Sequence, residues 1–258
     1  MITNHCNCGN IGIGIHPYWG EILCEYHLLH SSCFSCDLPA AEDFQLQSDG
    51  QKKLALCKRC LVSAIEDTKE ANQISRDIVA KLSGKEFTFP GRTPLVHLST
   101  DLGDNHNVIG SARYSFHPRS GGRTRAVFNQ ITVLYGVARS HFIEICAHEL
   151  AHVWLGQRGY HYLPTSIEEG FCDLVAYSVL DATDDLDEVG SYRLHTLLMS
   201  TEAESSVGFQ QLWTHYAQGG LVRLVAQLTT MPARDTMRWL VANDSQECAP
   251  ALPGSRPP

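Results

Sequence analysis

The spacing of apolar residues along the chain predicts one helix, then a short region of strands, and then a series of helices. Alternating apolar and polar positions predict strands over residues 95–98, 108–116 and 125–134, with a turn at 117–123 between the last two. Apolar residues three and four positions apart predict helices over residues 61–82, 140–155, 165–177, 192–199, 209–217, 221–228 and 233–241. Strands segregated from most of the helices indicate an α+β fold, with a small antiparallel sheet ahead of the helix over residues 140–155.

Composition divides the chain in a second way, because seven of the ten cysteines lie before residue 61. Residues 1–62 are therefore expected to form a separate cysteine-rich module. The helix within residues 63–85 either links this module to the next domain or opens that domain, which extends over residues 86–245. Residues 246–258 are rich in proline and small side chains and are expected to be disordered.

The overall composition is that of a globular protein, with 258 residues, 43% hydrophobic and 19% charged. A net charge of −8 argues against nucleic acid as a main partner, because phosphate binding requires clusters of basic residues. No apolar run approaches the roughly 20 residues that cross a bilayer, and the first residues lack the features of a signal peptide. We therefore expect a cytoplasmic protein with no membrane partner, whose clustered cysteines bind metal rather than form disulfides.

The helix predicted over residues 140–155 carries the sequence His-Glu-Leu-Ala-His at positions 148–152. Residues four apart lie on one face of a helix, so His148 and His152 can direct their imidazole nitrogens at one ion. Glu149 lies beside them, within reach of a water molecule bound to that ion. When the motif is taken alone, two helix histidines without a metal are the alternative.

The residues that follow supply a third ligand. Catalytic zinc commonly has three protein ligands and one open position, and two histidines with one glutamate are a standard set. Glu169 supplies the carboxylate if the helix predicted after Pro164 folds back against the first one. Asp173 lies one turn beyond Glu169, where its carboxylate can accept the second N–H of a ligand histidine. The sequence thus predicts a catalytic zinc ion held by His148, His152 and Glu169.

The cysteine-rich module contains two C-x-x-C pairs, at 33–36 and 57–60, separated by twenty residues. This spacing is typical of a tetrahedral structural zinc site, and a segment this short would hardly fold without metal. A second set of donors precedes these pairs, so one or two structural zinc ions are predicted. The members of this second set are Cys6, Cys8, Cys24 and His30.

The module resembles a LIM domain, a tandem pair of zinc modules, through the sequence His30-Ser-Ser-Cys33-Phe-Ser-Cys36. The ligands that this resemblance implies are Cys8, His30 and Cys33 for the first ion, and Cys36, Cys57 and Cys60 for the second. The sequence departs from the LIM pattern at its opening pair, Cys6-x-Cys8, and at Pro39, which stands where a cysteine is expected. One site is therefore expected to be incomplete, to borrow a carboxylate or to be absent, and Cys24 is interpreted as a buried thiol.

The region around the histidines resembles the gluzincin metallopeptidases, in which a helix after the histidine helix supplies a glutamate ligand. Residues 131–139, 147–155 and 168–172 narrow the resemblance to the LIM-containing, ubiquitin-activated peptidases that restrict organ growth in plants. The sixteen residues between His152 and Glu169 match as well. The ubiquitin-interacting segment of the plant members is missing ahead of the module, so we expect a bacterial or reduced relative. The resemblance also leaves ubiquitin or another regulatory protein as a candidate partner.

The resemblance implies a zincin-type domain that hydrolyses peptide bonds in protein substrates, with Glu149 as general base and Asp173 orienting a ligand histidine. An endopeptidase is the first hypothesis. A non-catalytic, LIM-type binding scaffold is the alternative, and an aminopeptidase ranks third because no G-x-M-E-N-type segment is present. The donor that would stabilise an oxyanion is not identified by the sequence; the candidates are Tyr135, Tyr160, His161, His195 and His215.

Overall fold

The structure is a computed structural model of the chain. It describes residues 5–6, 8–29, 32–40, 45–47, 53–85, 87–100, 109–118, 124–160, 163–200 and 203–230. Over these residues the fold is mixed α+β with small sheets, as the apolar pattern predicts. Among the described helices, none combines the length and the apolar character needed to cross a bilayer. The helix predicted over 233–241 and the tail at 246–258 lie outside the described residues.

The cysteine-rich module has little regular structure. Its elements are β1 (Gly14–Ile15), β2 (Ile22–Leu23), α1 (Glu25–Leu29), β3 (Gln45–Gln47), β4 (Lys53–Ala55) and α2 (Lys58–Val62). Strands β1 and β2 form one antiparallel pair, and β3 and β4 form another. Apart from a few leucines, the residues that it buries are mainly its own cysteines. A module with so small an apolar core depends on cross-links or bound metal for its stability.

The larger region contains one sheet and most of the helices. Its elements are α3 (Thr68–Ser83), β5 (Val96–Ser99), β6 (Gly110–Pro118), β7 (Thr124–Leu134), α4 (Arg139–Arg158), α5 (Thr165–Asp181), α6 (Glu188–Met199), α7 (Ala203–Ala217) and α8 (Gly220–Thr230). Local chemistry sets several bounds. The Asp67 carboxylate caps α3 by accepting the backbone N–H groups of Lys69 and Glu70. Gly159 ends α4 because its φ of 84° is readily adopted only by glycine.

The single helix predicted over residues 61–82 is two helices in the structure, α2 and α3. The chain between them pairs with the segment before α4. The backbone N–H of Ile65 donates to the Val137 carbonyl at 2.9 Å, and that of Arg139 donates to the Ser63 carbonyl at 2.8 Å. These bonds satisfy groups that a continuous helix would have used internally. They also fix where α4 begins.

The three-stranded sheet has the order β5-β7-β6. Strand β6 runs antiparallel to β7, but β5 runs parallel to it, so the prediction of an antiparallel sheet is wrong for β5. The reason is that β6 and β7 form a hairpin whose second strand lies in the centre and pairs with β5 on its other side. Strand β6 is consequently an edge strand of this sheet.

Helix α4 is the centre of the larger region, since it contacts α3, α5, α6, β6 and β7. Trp154 on α4 is fully buried and stacks on Phe87 and on Phe171 of α5, with ring centroids 4.5 Å and 5.7 Å apart. Its Nε1 donates to the Thr88 carbonyl at 3.0 Å. Buried aromatic contacts of this kind contribute packing beyond their buried area. They hold α4 and α5 in one fixed arrangement.

Candidate metal centres

Helices α4 and α5 bring three of the predicted ligands together. The Nε2 atoms of His148 and His152 are 3.1 Å apart. The Oε2 atom of Glu169 lies 3.2 Å from Nε2 of His148 and 3.6 Å from Nε2 of His152. Atoms bound to one tetrahedral zinc ion at 2.0–2.1 Å lie about 3.3 Å from one another. The three donors are thus spaced as ligands of a single zinc ion would be, and their chemistry suits that metal.

Each histidine of the pair also has a carboxylate on its other nitrogen. Nδ1 of His148 lies 2.9 Å from Oδ1 of Asp173, and Nδ1 of His152 lies 3.0 Å from Oε1 of Glu168. Such contacts fix the tautomer that leaves Nε2 free to bind a metal. The contact of Asp173 with His148 was expected from the position of Asp173 one turn after Glu169. The contact of Glu168 with His152 was not predicted. Two consecutive carboxylates at the start of one helix point in different directions, so each could have been expected to reach a different histidine.

Glu149 lies beside this cluster without belonging to it. Its side chain is buried, and burial raises the pKa of its carboxyl above the usual value, while the neighbouring histidine charges and a backbone hydrogen bond at Ala112 pull in the opposite direction. Strand β6 passes directly over it. A Cβ atom added to Gly110 would lie 2.7 Å from the Glu149 Oε1 atom, so only glycine lets the strand come this close.

The histidines and carboxylates of the cluster stabilise each other's charged forms. Hydrogen bonds from His148 and His152 hold the pKa of Glu169 well below its usual value. Burial alone would lower the pKa of His148, but its contacts with Asp173 and Glu169 reverse that effect and raise it. A cluster in which two imidazoles face three carboxylates carries excess negative charge when the imidazoles are neutral. A divalent cation would offset most of that charge.

A thiol lies at the same place. Cys172 on α5 is fully buried, and its sulfur with one ring nitrogen from each of His148 and His152 forms a set of three donors within 4.8 Å of one another. The set with Glu169 uses the same two histidines, with donor atoms 3.1–3.6 Å apart. Carboxylate and thiol are three residues apart on one helix and therefore share a face. The sequence pattern predicted no role for Cys172.

Two further donor clusters lie in the cysteine-rich module. The first consists of Cys6, Cys8, Cys24 and His27, and the second of Cys33, Cys36, Cys57 and Cys60. In the first, Sγ of Cys8 is 3.6 Å from Sγ of Cys24, and Sγ of Cys6 is 2.9 Å from Nδ1 of His27. In the second, the sulfurs of Cys36 and Cys57 are 3.5 Å apart. Thiolates on one zinc ion at 2.3 Å are about 3.8 Å apart, so both clusters can bind zinc as LIM-type sites do.

The structure corrects the predicted partition of these ligands. Cys33 joins Cys36 rather than the first set, because both lie in one tight turn, in which the Asp37 N–H donates to the Cys33 carbonyl at 2.8 Å. The second cluster thereby has four thiols without a donor at position 39, where Pro39 stands. Cys24 is a member of the first cluster and not an isolated buried thiol, and His27 is the donor that was missed. His30 lies outside the described residues.

The partition can be tested by counting bound zinc in single variants of the full chain. We expect Cys24→Ser and His27→Ala each to weaken or lose one zinc ion, because each removes a donor from the first cluster. His30→Ala is the matched control and should keep the parent stoichiometry. Metal analysis after gel filtration measures the count. Loss of zinc from His30→Ala with full retention in His27→Ala would support the partition predicted from the LIM pattern instead.

The second cluster is attached to the larger region. The loop between its first two cysteines places the Ser35 hydroxyl where it accepts the Ala138 N–H at 3.3 Å and meets Nδ1 of His141 at 3.2 Å. The Tyr192 hydroxyl of α6 donates to the Asp37 carboxylate. His141 is buried, and burial together with the Arg193 charge lowers the pKa of its ring, which favours the neutral form at this contact. The module thus packs on the first turn of α4 and on α6.

Of the five candidates for an oxyanion contact, three have other neighbours in the structure and one lies outside the described residues. The Tyr160 hydroxyl donates to the Leu228 carbonyl at 2.6 Å in a buried contact. Burial and the neighbouring Glu66 charge raise the pKa of the Tyr135 hydroxyl. His195 packs its ring on Tyr18 of the cysteine-rich module, with centroids 4.9 Å apart. His161 lies outside the described residues.

The paired zinc-type clusters and the α+β region attached to them define a LIM-type metal-binding protein. Comparison with known proteins gives the family: the chain belongs to the DA1-like family, because the family model described as "DA1-like: Protein DA1" matches residues 54–222. That match includes the second C-x-x-C pair and all of α4 and α5.

Individual relatives agree with this assignment at low identity. The "LIM domain-containing protein HDR3" of Oryza sativa subsp. japonica is 27% identical over 210 residues, which cover 67% of this chain and 42% of that protein. "Protein DA1" of Arabidopsis thaliana is 25% identical over 217 residues, covering 70% of this chain and 40% of that protein. The chain therefore spans about two fifths of the length of these curated relatives. No solved structure matches it.

Proposed function

We propose that this chain is a zinc-dependent peptidase that cleaves protein substrates internally, through a zincin-type site with His148, His152 and Glu169 as ligands. One observation carries the proposal. Three donor atoms converge at 3.1–3.6 Å from one another, and a buried carboxylate outside that set, Glu149, lies next to them. Membership of a LIM-type family supports a protein as the target but does not identify it.

When bound, zinc would supply Lewis acidity, lowering the pKa of a bound water from roughly 15.7 to about 7 and polarising the scissile carbonyl. Glu149 would act as general base and then as general acid, accepting the proton of the attacking water and passing it to the leaving amine. Its burial suits this role, since a raised pKa brings the carboxylate closer to the pKa of its proton donor. Asp173 and Glu168 would hold the ligand imidazoles in position.

The edge strand β6 supports an extended peptide as substrate. Its first residues pass over Glu149, and its outer side has no neighbouring strand in the described sheet. An extended peptide can add to such an edge through backbone hydrogen bonds, which bind many sequences because they involve no side chain. Gly110 would keep the peptide backbone close to the base. An endopeptidase needs this arrangement, because it must bind substrate residues on both sides of the cleaved bond.

The proposal predicts zinc-dependent cleavage that responds to Asp173. Zinc should restore cleavage of an unfolded protein such as casein to metal-stripped full-length chain. In Asp173→Asn we expect the zinc concentration for half-maximal cleavage to rise about 10- to 100-fold, as is usual when a carboxylate partner of a ligand histidine is lost. The cleavage rate at saturating zinc should fall much less.

An exposed carboxylate on the same protein provides the control. Asp77→Asn changes a residue of α3 that is exposed and hydrogen-bonds only to Gln73 among the described contacts, and it should leave the zinc titration unchanged. Failure of the zinc-loaded parent to cleave any unfolded protein would count against the peptidase. If parent and Asp173→Asn needed the same zinc concentration for half-maximal cleavage, only the role proposed for Asp173 would be wrong.

A further inference from the structure

The proposed zinc site has a second potential donor on α5. The Cys172 sulfur and a ring nitrogen from each of His148 and His152 lie within 4.8 Å of one another. Cys172 has no exposed surface. The thiol is therefore held against the same imidazole pair that faces the Glu169 carboxylate.

The two donors differ in chemistry. Thiolate is a soft ligand that binds zinc and cobalt strongly, whereas carboxylate is a harder one. Sets with two imidazoles and a carboxylate are found in hydrolytic zinc enzymes, and sets that combine imidazole with thiolate are found in both structural and catalytic sites. A thiolate also donates more charge to the ion, which makes the ion a weaker Lewis acid. Exchange of one donor for the other would change both metal retention and reactivity.

We propose that Cys172 is an alternative third ligand, so that the ion can be held by His148 and His152 with either Glu169 or Cys172. The inference rests on the proposed function and adds a second state to that site. In the carboxylate-bound state the site is hydrolytic. In the thiolate-bound state it retains its metal and is less active. Both donors lie on the same face of α5, three residues apart, so each can approach the same imidazole pair.

The test uses cobalt(II), whose bond to a thiolate produces a charge-transfer absorption in the near ultraviolet. Full-length Glu169→Ala is compared with the double variant Glu169→Ala/Cys172→Ser, each loaded with cobalt. Thiolates of the cysteine-rich module absorb equally in both proteins, so the difference spectrum reports Cys172. We expect Glu169→Ala to bind one more cobalt ion per chain than the double variant and to show additional thiolate absorption.

Cys146 provides the matched control, because it is a fully buried thiol of α4 that belongs to none of the donor clusters among the described residues. Glu169→Ala/Cys146→Ser should behave like Glu169→Ala. Identical cobalt content and spectra for Glu169→Ala and Glu169→Ala/Cys172→Ser would overturn the inference. If Glu169→Ala proves unfolded by circular dichroism, Glu169→Gln replaces it in the same comparison.

The two proposals fail in different ways. A parent protein that cleaves substrate in a zinc-dependent manner, combined with no thiolate absorption from Cys172, leaves the peptidase standing and removes the alternative ligand. A parent that binds a third metal ion but never cleaves substrate removes the peptidase, while the cobalt comparison still decides whether Cys172 binds metal.

Discussion

Replacing Glu149 with glutamine should abolish peptide hydrolysis by this chain while leaving its zinc content unchanged. Glutamine has nearly the same shape, so it can occupy the pocket under Gly110 without displacing β6. It cannot accept a proton from water. Loss of a general base typically costs about 10²- to 10⁴-fold in rate. Because Glu149 is not a member of the donor set, zinc should stay bound at the parent stoichiometry.

The measurement is kcat/KM on an internally quenched peptide, with metal analysis of the same sample. Glu188→Gln is a suitable control, because Glu188 is an exposed residue whose ion pair with Arg59 lies at the cysteine-rich module. It should retain the parent rate. If Glu149→Gln cleaved as fast as the parent, the assignment of the base would be wrong. If neither protein cleaved and both captured the same partner, the non-catalytic scaffold would be favoured.

The second large effect is expected from Gly208→Ala, which should strongly destabilise the fold. Helices α5 and α7 approach each other so closely that a Cβ on Gly208 would lie 1.8 Å from the Ser166 carbonyl oxygen and 2.5 Å from its carbon. A Cβ on Gly170 would in turn meet the Phe209 nitrogen at 2.2 Å. Backbone atoms cannot rotate away as side chains do, so the helices must separate. We expect a loss of about 3 kcal/mol or more in the free energy of unfolding.

Denaturant unfolding of the zinc-loaded chain measures this loss, and Gly84→Ala is the matched control. Gly84 has a φ of −64°, and its added Cβ would meet nothing closer than 3.5 Å. This variant should be neutral or more stable by about 0.4–1 kcal/mol, because alanine restricts the unfolded chain. If the two variants had the same free energy of unfolding, α5 and α7 would have room for a methyl group between them, and the predicted clash would be wrong. A displaced α5 should also weaken zinc binding, since it carries Glu169.

Local patterns were sufficient to predict much of the fold. Helices α4 and α5 follow from apolar spacing and from the glycine and proline residues at their ends, which act over a few residues. The break between α2 and α3 was not predictable in this way. It depends on hydrogen bonds with residues 136–139, which are distant in sequence. The parallel pairing of β5 depends likewise on the placement of a later hairpin.

The candidate sites show the same division. Ligand types and their spacing predicted which residues of α4 and α5 face one another, because the helix period relates sequence distance to direction. Contacts that depend on how two helices are rotated were missed, such as those of Glu168 and Cys172 with His152. The first cluster of the module was not predicted correctly. Its donors Cys24 and His27 follow the order Cys-x-x-His, whereas the LIM pattern led us to expect His-x-x-Cys.

Ser35, which lies between Cys33 and Cys36, affects where the chain can be truncated for protein engineering. Ala138 has no side chain that can cap α4, and the hydroxyl that accepts its N–H comes from a residue more than a hundred positions earlier. A truncated protein that begins after residue 62 would therefore start α4 without that acceptor and would expose the Tyr192 surface to solvent. The smallest fragment suitable for expression and crystallisation should retain the cysteine-rich loop around Ser35. Composition alone would instead suggest a fragment that starts after this loop.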